Sequence, residues 1–469
     1  MTPSARISLW VIVLVHTFRQ NGINVALDVE SGAVHLPDDV SFAVLAAFPD
    51  KLPTAGEAVA ALGAKYGEDE LREAVAELKT LADDDMLYTA AEEIPAPVYS
   101  SLMPVKAMCL HVAHDCNLRC GYCFASQGDY HGARGIMPPE TGKKAIDFIA
   151  AVSKGRKNIE IDFFGGEPTM AMKTVKETVA YARCVEKERG KNFRFTITTN
   201  GLLLSDENID FINAEMSNVV LSLDGRRIVN DKMRKCVDGS GSYDIIVPKF
   251  KKLLEKRGSD KSYYLRGTFT RDNLDFASDF EHIYGLGFDE ISIEPVTAPA
   301  DRPYALRDED LPRIAEEYEK LTNVILKLRA EGKKVNFFHF MVDLDGGPCA
   351  VKRLKGCGAG NEYVAVAPDG SIYPCHQFVG MDDYKIGSLD EGIVRDDVRR
   401  IFAQSSIMSK PDCRDCFAKY NCSGGCAAGN IFYGGGIDSP NKQACFMQKK
   451  RLECALVLKA AEAGAPVEF

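Results

Sequence analysis

The stretch Cys116-Asn117-Leu118-Arg119-Cys120-Gly121-Tyr122-Cys123 places three thiols in a C-x3-C-x2-C pattern, directly after a candidate strand at residues 106–112. Three cysteines this close cannot all form disulfides. They can ligate three irons of a [4Fe–4S] cluster, whose usual complement is four cysteines, and then one iron stays open to a substrate or cofactor. A zinc site is the alternative, because His111, His114 or His131 offers a fourth ligand.

Strand-like and helix-like segments alternate on both sides of this motif. The six candidate strands are residues 106–112, 159–164, 193–199, 219–223, 263–270 and 290–296, and helical patterns lie between them, as at 138–151, 172–188 and 244–256. This alternation indicates a parallel sheet, and six units predict an α/β fold with a partial (β/α)6 barrel. Chemistry in such folds lies at the C-terminal ends of the strands, where the cysteine motif stands.

A second set of cysteines follows a helical pattern at about residues 308–331. Cys357 is followed after twelve residues by Gly370 and after four more by Cys375; then come Cys413-x2-Cys416-x5-Cys422-x3-Cys426 and finally Cys445. This segment is rich in Gly and Cys and poor in long periodic runs, so we expect bound metal to replace part of an apolar core. The chain has fifteen cysteines, an odd number, which favours metal binding in a reducing compartment over disulfides.

The first motif resembles the signature of the radical S-adenosylmethionine (SAM) superfamily, C-x3-C-x-aromatic-C. Residues 163–168, Phe-Phe-Gly-Gly-Glu-Pro, resemble the GGE(P) motif of the same superfamily. The resemblance implies that SAM binds the open iron and is cleaved to a 5′-deoxyadenosyl radical. It also implies a set of SAM-binding residues: Tyr122 beside the adenine, then Gly165, Gly166, Glu167, Pro168, Asn200, Ser222 and Asp224. Arg234 is either a partner of the SAM carboxylate or a solvated surface arginine.

The seven-cysteine layout resembles the SPASM domain of radical SAM peptide maturases. By that resemblance, Cys413, Cys416, Cys422 and Cys445 hold one auxiliary [4Fe–4S] cluster, and Cys357, Cys375 and Cys426 hold another, which makes three clusters in the chain. Two complete clusters need eight ligands. Either Cys349 or a substrate thiolate is therefore expected to fill the eighth position.

His376 directly follows Cys375, where some SPASM enzymes carry an acidic proton acceptor. It is either a proton acceptor or a hydrogen-bond donor to the cluster.

Residues 1–97 read as a small strand-and-helix module of the winged-helix type. Strands are predicted at 23–28, 33–36 and 86–89, and helices at 41–47, 56–66 and 68–82. Many SPASM enzymes carry such a module, and the resemblance implies that it binds the leader of a precursor peptide by adding a strand to an open edge. Residues 98–300 are the predicted barrel, 301–340 a bridging helix, and 341–469 the SPASM domain.

The composition excludes some partners. The net charge is −10 without a polybasic block, so we expect neither nucleic acid nor membrane as a partner. The apolar run at residues 7–15 is too short to span a bilayer and is not followed by an A-x-A cleavage site. A cytoplasmic protein is expected.

Over most of its length the chain resembles maturases of SCIFF peptides, the precursors with six cysteines in forty-five residues. The resemblance rests on segments such as residues 20–22, 31–35, 356–358 and 373–378. It implies thioether cross-links between Cys sulfur and a carbon of another residue (a sactipeptide or ranthipeptide), a Cys-rich precursor with a leader, and an electron donor such as flavodoxin or ferredoxin. The alternatives are an anaerobic sulfatase maturase that forms formylglycine, a quinohemoprotein maturase, and an iron–sulfur regulator that binds DNA.

Overall fold

The computed structural model describes residues 14–91, 101–344 and 353–469. An N-terminal module begins with three antiparallel strands in the order β1-β2-β3, which are β1 (Val15–Gln20), β2 (Ile23–Asp28) and β3 (Val34–His35). Three helices follow: α1 (Asp39–Ala47), α2 (Ala55–Leu62) and α3 (Glu68–Asp83). Thr54 and Glu57 form a reciprocal capping box at the start of α2.

Strand β2 is buried on both faces, which accounts for its apolar sequence. Ala26 packs in the module's own core with Val44 and Leu71. Val25 and Leu27 belong instead to the core of the rest of the chain. Because side chains alternate along a strand, β2 is shared between two cores and fixes the module to the remainder of the protein.

Two details of the module differ from the sequence prediction. The strand predicted at residues 86–89 is wrong, because these residues form bends in which Tyr88 has a φ of 54°. The Thr89 N–H donates to the Asp28 carboxylate at 3.1 Å instead of to a strand. Strand β1 was not predicted, and the apolar run at 7–15 lies outside the described residues except for its last two positions.

The predicted partial barrel is confirmed. Six parallel strands lie side by side in chain order, namely β4 (Ala107–His114), β6 (Asn158–Gly165), β7 (Asn192–Thr199), β8 (Met216–Ser222), β9 (Ser262–Phe269) and β10 (Glu290–Pro295). The short β5 (Gly135–Ile136) pairs antiparallel with β4. The connecting helices are α4 (Pro139–Val152), α5 (Met172–Arg189), α6 (Asp206–Glu215), α7 (Arg227–Met233), α8 (Tyr243–Glu255) and α9 (Phe276–Gly285).

The C-terminal part continues the barrel sheet. After α10 (Leu311–Ala330) and β11 (Asn336–Phe337), β12 (Tyr363–Val366) pairs parallel with β4. Strands β13 (Ser371–Tyr373), β14 (Gly387–Ser388) and β15 (Gly392–Ile393) extend the sheet in antiparallel fashion. The remaining helices are α11 (Asp396–Gln404), α12 (Pro411–Arg414), α13 (Lys419–Cys422), α14 (Ala427–Tyr433) and α15 (Lys442–Glu462).

Helix α15 corrects the expectation that this segment lacks long periodic runs. It has 21 residues and buries Leu452, Leu456 and Val457. These residues join the same apolar core as the barrel. The cysteine-rich segment therefore has an apolar core in addition to its thiols. Among the helices that the structure describes, none is long and apolar enough to cross a membrane.

Candidate functional site

The three cysteines of the first motif lie on the loop after β4, at the C-terminal end of the barrel strands. Gly121 N–H donates to the carbonyl of Met233, at the end of α7, at 2.9 Å. The backbone between Cys120 and Cys123 is thereby tied to a distant part of the barrel. The fold holds this loop over the end of the sheet, as the sequence predicts.

Gly165 and Gly166 let the end of β6 approach the start of this loop. A Cβ on Gly165, whose φ is 130°, would lie 2.2 Å from the Ala113 carbonyl oxygen, and one on Gly166 would lie 2.1 Å from the Asp115 carbonyl oxygen. No real side chain tolerates such distances, so both positions require glycine. The end of β6 therefore packs directly against the backbone at the start of the cysteine loop and fixes its position.

Glu167 organises the ends of two neighbouring strands. Its carboxylate accepts hydrogen bonds from the N–H and hydroxyl of Thr169, the hydroxyl of Thr199 and the N–H of Asn200, at 2.5 to 2.9 Å. These four hydrogen bonds occupy the buried carboxylate, so Glu167 holds the ends of β6 and β7 together. Pro168 begins the helical turn that follows. Contacts of this segment with SAM stay a prediction.

Asn200 connects the third strand to the cluster loop. Its amide nitrogen lies 2.8 Å from Asn117 Oδ1 and 3.7 Å from Cys116 Sγ, and its Oδ1 accepts the N–H of Leu202 at 3.0 Å. An N–H donor to a cysteine sulfur stabilises the thiolate form. Asn200 therefore orients a cysteine as well as lining the predicted SAM site. Ser222 ends β8 at the same edge of the sheet.

Tyr122, Asp224 and Arg234 form one buried group. The fully buried Asp224 accepts hydrogen bonds from the Tyr122 hydroxyl at 2.6 Å, from Arg234 Nε at 3.0 Å and from the Thr268 N–H at 3.0 Å. The Arg234 side chain is 11% exposed, so a solvated surface arginine is excluded. Its charge is balanced by Asp224, which favours a role in fixing the Tyr122 ring.

The thiols of the first motif are partly shielded from solvent. Burial raises the pKa of Cys116 and of Cys120 to about 12 in the absence of metal. Because a cysteine ligates metal as the thiolate, a cluster bound here would displace these protons. These residues fit a [4Fe–4S] cluster with one open iron.

The structure also divides the later cysteines into two groups. Burial raises the pKa of Cys357 and of Cys375, and the charge of Cys426 adds to the rise in both, so these three thiols lie close together. Burial likewise raises the pKa of Cys413, Cys422 and Cys445, and the charge of Cys416 adds to the rise in all three, so these four thiols form a second group. These are the two ligand sets expected from the sequence. Cys349, the candidate eighth ligand, lies outside the described residues.

The zinc alternative finds no support in the described parts of the chain, where no three His, Cys, Asp or Glu side chains converge on a position for a single metal ion. His111 Nδ1 lies 3.2 Å from His114 Nε2, and both rings contact Tyr130. His131 is exposed. The two imidazoles are therefore packed against each other and against Tyr130.

His376 lies among aromatic rings at the mouth of the barrel. Its ring centroid is 5.3 Å from that of Phe164 and 5.7 Å from that of Phe124, and its Nδ1 is 3.4 Å from the Tyr363 hydroxyl. Burial lowers the pKa of His376 to about 4. Both roles considered for His376, proton acceptor and hydrogen-bond donor to the cluster, stay predictions.

The sequence prediction missed a set of inward-facing polar residues on the strands. Asp162 on β6, Arg266 on β9, Glu294 on β10 and Tyr363 on β12 are all partly exposed although the barrel surrounds them. They therefore line an open lumen. The sequence does show polar residues at alternate positions of these otherwise apolar strands. Which face of the sheet points into the barrel, however, follows only from the register of the paired strands.

Comparison with known proteins agrees with this site. Residues 110–275 match the radical SAM superfamily, and residues 357–417 match SPASM, an iron–sulfur cluster-binding domain. The chain contains both domains. The radical SAM domain binds SAM and a [4Fe–4S] cluster, and the SPASM domain binds additional iron–sulfur clusters.

Two curated relatives illustrate the range of similarity. A "cysteine-type anaerobic sulfatase-maturating enzyme" of Clostridium novyi is 26% identical over 66% of this chain and 85% of that protein. The "mycofactocin maturase MftC" of Mycolicibacterium smegmatis is 27% identical over 71% of this chain and 80% of that protein. Both alignments leave more than a quarter of this chain unmatched.

Two solved structures share the fold. The structure of anSMEcpe with bound AdoMet superposes with a TM-score of 0.63 at 18% identity, covering 76% of this chain and 98% of that one. The structure of Streptococcus suis SuiB bound to precursor peptide SuiA superposes with a TM-score of 0.53 at 14% identity, covering 93% of this chain and 99% of that one. At these identities the likeness concerns the fold alone.

Proposed function

We propose that this chain, which carries a radical SAM domain and a SPASM domain, forms intramolecular thioether cross-links between Cys sulfur and carbon in a ribosomally made, Cys-rich precursor peptide of the SCIFF type. The observation that carries the proposal is an N-terminal module with an open strand edge, packed against the loop that holds Cys416 and Cys422. Such an arrangement fits an enzyme that holds a peptide leader beside an auxiliary cluster.

The open edge belongs to β3. Asp28 N–H donates to the Ala33 carbonyl at 2.9 Å, so these two residues form a hydrogen-bonded pair between β2 and β3. In an antiparallel ladder the next residue, Val34, then directs its N–H and carbonyl away from β2. These two groups are suited to pair with an added peptide strand.

Space for a peptide lies beside the same loop. A cavity of about 330 Å³ is bordered by Tyr420 and Asn421 of the loop, by Gln448 of α15 and by His339 after β11. His339 Nε2 lies 3.0 Å from Ser292 Oγ, on β10. The cavity therefore lies beside the loop between Cys416 and Cys422, among residues that follow β11 and residues of α15.

When bound, SAM and its cluster supply a 5′-deoxyadenosyl radical that removes a hydrogen atom from the peptide, and the auxiliary clusters accept one electron. The protein's own residues supply orientation and a narrow entrance to the lumen. Phe124 and Phe164 narrow the mouth of the barrel around His376. Exclusion of water protects a carbon radical until a sulfur reaches it.

Formylglycine formation is the second candidate, favoured by the similarity to the sulfatase-maturating enzyme of C. novyi. That activity acts on a single Cys or Ser and does not call for a leader-binding module. A DNA-binding regulator is disfavoured because the exposed face of α3 carries Glu68, Asp69, Glu73 and Glu77, which repel phosphate.

Mass spectrometry separates these functions. The anaerobically reconstituted enzyme is incubated with SAM, dithionite and a synthetic Cys-rich peptide of the SCIFF type, with six cysteines and a leader. We expect a loss of two hydrogens per modification, with the modified cysteines protected from iodoacetamide. Loss of sulfur from a cysteine would indicate formylglycine and refute the cross-linking proposal.

A further inference from the structure

Asp162 faces the lumen of the barrel from the middle of β6. In the strand register it lies beside Cys109 of β4 and Thr196 of β7, so these three side chains share the inner face. The next residue, Phe163, is fully buried on the outer face. Asp162 and Thr196 are partly exposed in the centre of the fold, which shows that they border open space rather than packed core.

The other carboxylates near this lumen already have hydrogen-bond or ion-pair partners. Glu167 accepts four hydrogen bonds, and Asp224 accepts three. Glu294 is paired with Arg266. Asp162 differs from all of them, because its buried Oδ1 has no hydrogen-bond partner among the residues that the structure describes.

A buried carboxyl oxygen without a partner is unfavourable for the fold, and such groups are rare unless they serve a purpose. Burial raises the pKa of Asp162 to about 7, and only the positive charge of Arg266 acts in the opposite direction. The other titratable groups around it are Cys109, Tyr130 and Tyr363. All three are neutral near pH 7, since burial raises their pKa values as well. A carboxyl group in this setting exchanges its proton near neutral pH.

We propose that Asp162 accepts the proton that the peptide's cysteine thiol loses when its sulfur bonds to carbon. This inference rests on the proposed thioether function. The balance is complete: the C–H hydrogen atom leaves to the cofactor-derived radical, the S–H proton passes to Asp162, the C–S bond forms, and one electron passes to an auxiliary iron–sulfur cluster. Asp162 thus takes the role for which the sequence suggested His376.

The first test compares variants Asp162→Asn and His376→Gln, with Asp147→Asn as the control. Asp147 is a surface carboxylate that pairs with Arg189 and accepts from Tyr181, far from the lumen. The measured quantity is cross-links formed per deoxyadenosine, with the synthetic Cys-rich peptide as probe. Asp162→Asn should lower this ratio about 100-fold, the usual contribution of a general base, while SAM cleavage continues. Asp147→Asn should leave the ratio unchanged.

The pH dependence of the ratio of cross-links to deoxyadenosine tests the same assignment. Asp162 accepts a proton only as the carboxylate, so the wild-type ratio should rise from pH 6 to pH 8. In Asp162→Asn this rise should be absent. The ratio should then increase only where the substrate thiol itself ionises, at about pH 8.5. His376→Gln should keep the wild-type rise. Loss of the rise in His376→Gln, with its retention in Asp162→Asn, would overturn the proposal.

A second measurement needs neither peptide nor activity. Infrared difference spectra of the reconstituted wild-type enzyme should show a protonated carboxyl band that disappears with a midpoint near pH 7 and is missing in Asp162→Asn of equal iron content. A band that titrates near pH 4, or is unchanged in the variant, would refute the assignment of Asp162. If this band behaves as expected but no peptide is cross-linked, the proposed function fails and not the assignment of the poised carboxyl.

Discussion

Glu30 of the N-terminal module and Lys419 of the auxiliary-cluster loop form a buried ion pair, with side chains 5% and 9% exposed. Glu30 also accepts a hydrogen bond from the Tyr420 hydroxyl at 2.9 Å. Nearby, the His16 ring stacks on Phe417, with centroids 3.5 Å apart. The module is therefore part of the environment of the loop between Cys416 and Cys422 rather than a separate appendage.

The buried pair predicts that Glu30→Leu destabilises both the module and the cluster beside it. Removing one partner of a buried ion pair leaves an uncompensated charge and costs about 3–5 kcal/mol. We expect a lower melting temperature and loss of iron from the cluster of Cys413, Cys416, Cys422 and Cys445. Glu68→Gln, which breaks the exposed pair with Arg72, is the control and should cost less than about 1 kcal/mol. Equal melting temperatures of Glu30→Leu and Glu68→Gln would contradict the role assigned to Glu30.

The grouping of the later cysteines predicts how iron is distributed. Three complete clusters correspond to about twelve irons per chain. Cys413→Ala combined with Cys416→Ala should remove about four irons, and Cys357→Ala combined with Cys375→Ala should remove a different four. Cys184→Ala, at an exposed cysteine without an assigned role, should retain all of them. A preparation of the wild type that saturates near four irons would disprove the two auxiliary sites.

The loop after β4 predicts that SAM cleavage depends on its three thiols alone. Changing Cys116, Cys120 and Cys123 together to Ala should abolish deoxyadenosine formation with dithionite, while about eight irons remain. The measurement pairs chromatography of the nucleoside products with iron analysis. Undiminished cleavage would place the SAM-binding cluster elsewhere.

The close backbone approach at Gly166 predicts a large effect from a single methyl group. Its Cβ would lie 2.1 Å from the Asp115 carbonyl oxygen, so Gly166→Ala must displace the start of the cluster loop. Overpacking of this kind costs about 1–3 kcal/mol. Because SAM binding requires the loop in its original position, the same cost weakens SAM binding roughly 5- to 150-fold. Gly155→Ala, where a Cβ meets nothing within 4 Å, should bind SAM normally. Equilibrium dialysis with labelled SAM measures both.

The open edge of β3 predicts that Val34→Pro weakens leader binding. Proline removes the outward N–H of Val34 without removing a bond to β2, because Val34 occupies a non-bonded position in that ladder. Fluorescence anisotropy with the labelled leader of the synthetic peptide should show a weakening of about tenfold, and uncoupled SAM cleavage should persist. Val34→Thr keeps the N–H and serves as the control. Unchanged binding by Val34→Pro would place the leader on another surface.

The sequence by itself determined the arrangement of strands and the spacing of the cysteines that we predict to be cluster ligands. Alternation of apolar strands with helices is a local pattern, and the C-x3-C-x2-C spacing is set by residues that are neighbours in the chain. The six barrel strands and the two groups of SPASM cysteines accordingly lie where the sequence placed them.

Local sequence patterns gave wrong or incomplete predictions where residues distant in sequence hydrogen-bond to the backbone or pair with a charged side chain. Residues 86–89 look like a strand, yet Asp28 takes the Thr89 N–H, so bends form there instead. Glu30 and Lys419 are 389 positions apart, and Asp162 reads as one polar residue in an apolar run until the strand register turns it inward. Burial, pairing and the resulting shifts in pKa depend on which chain segments meet, and only the tertiary structure decides that.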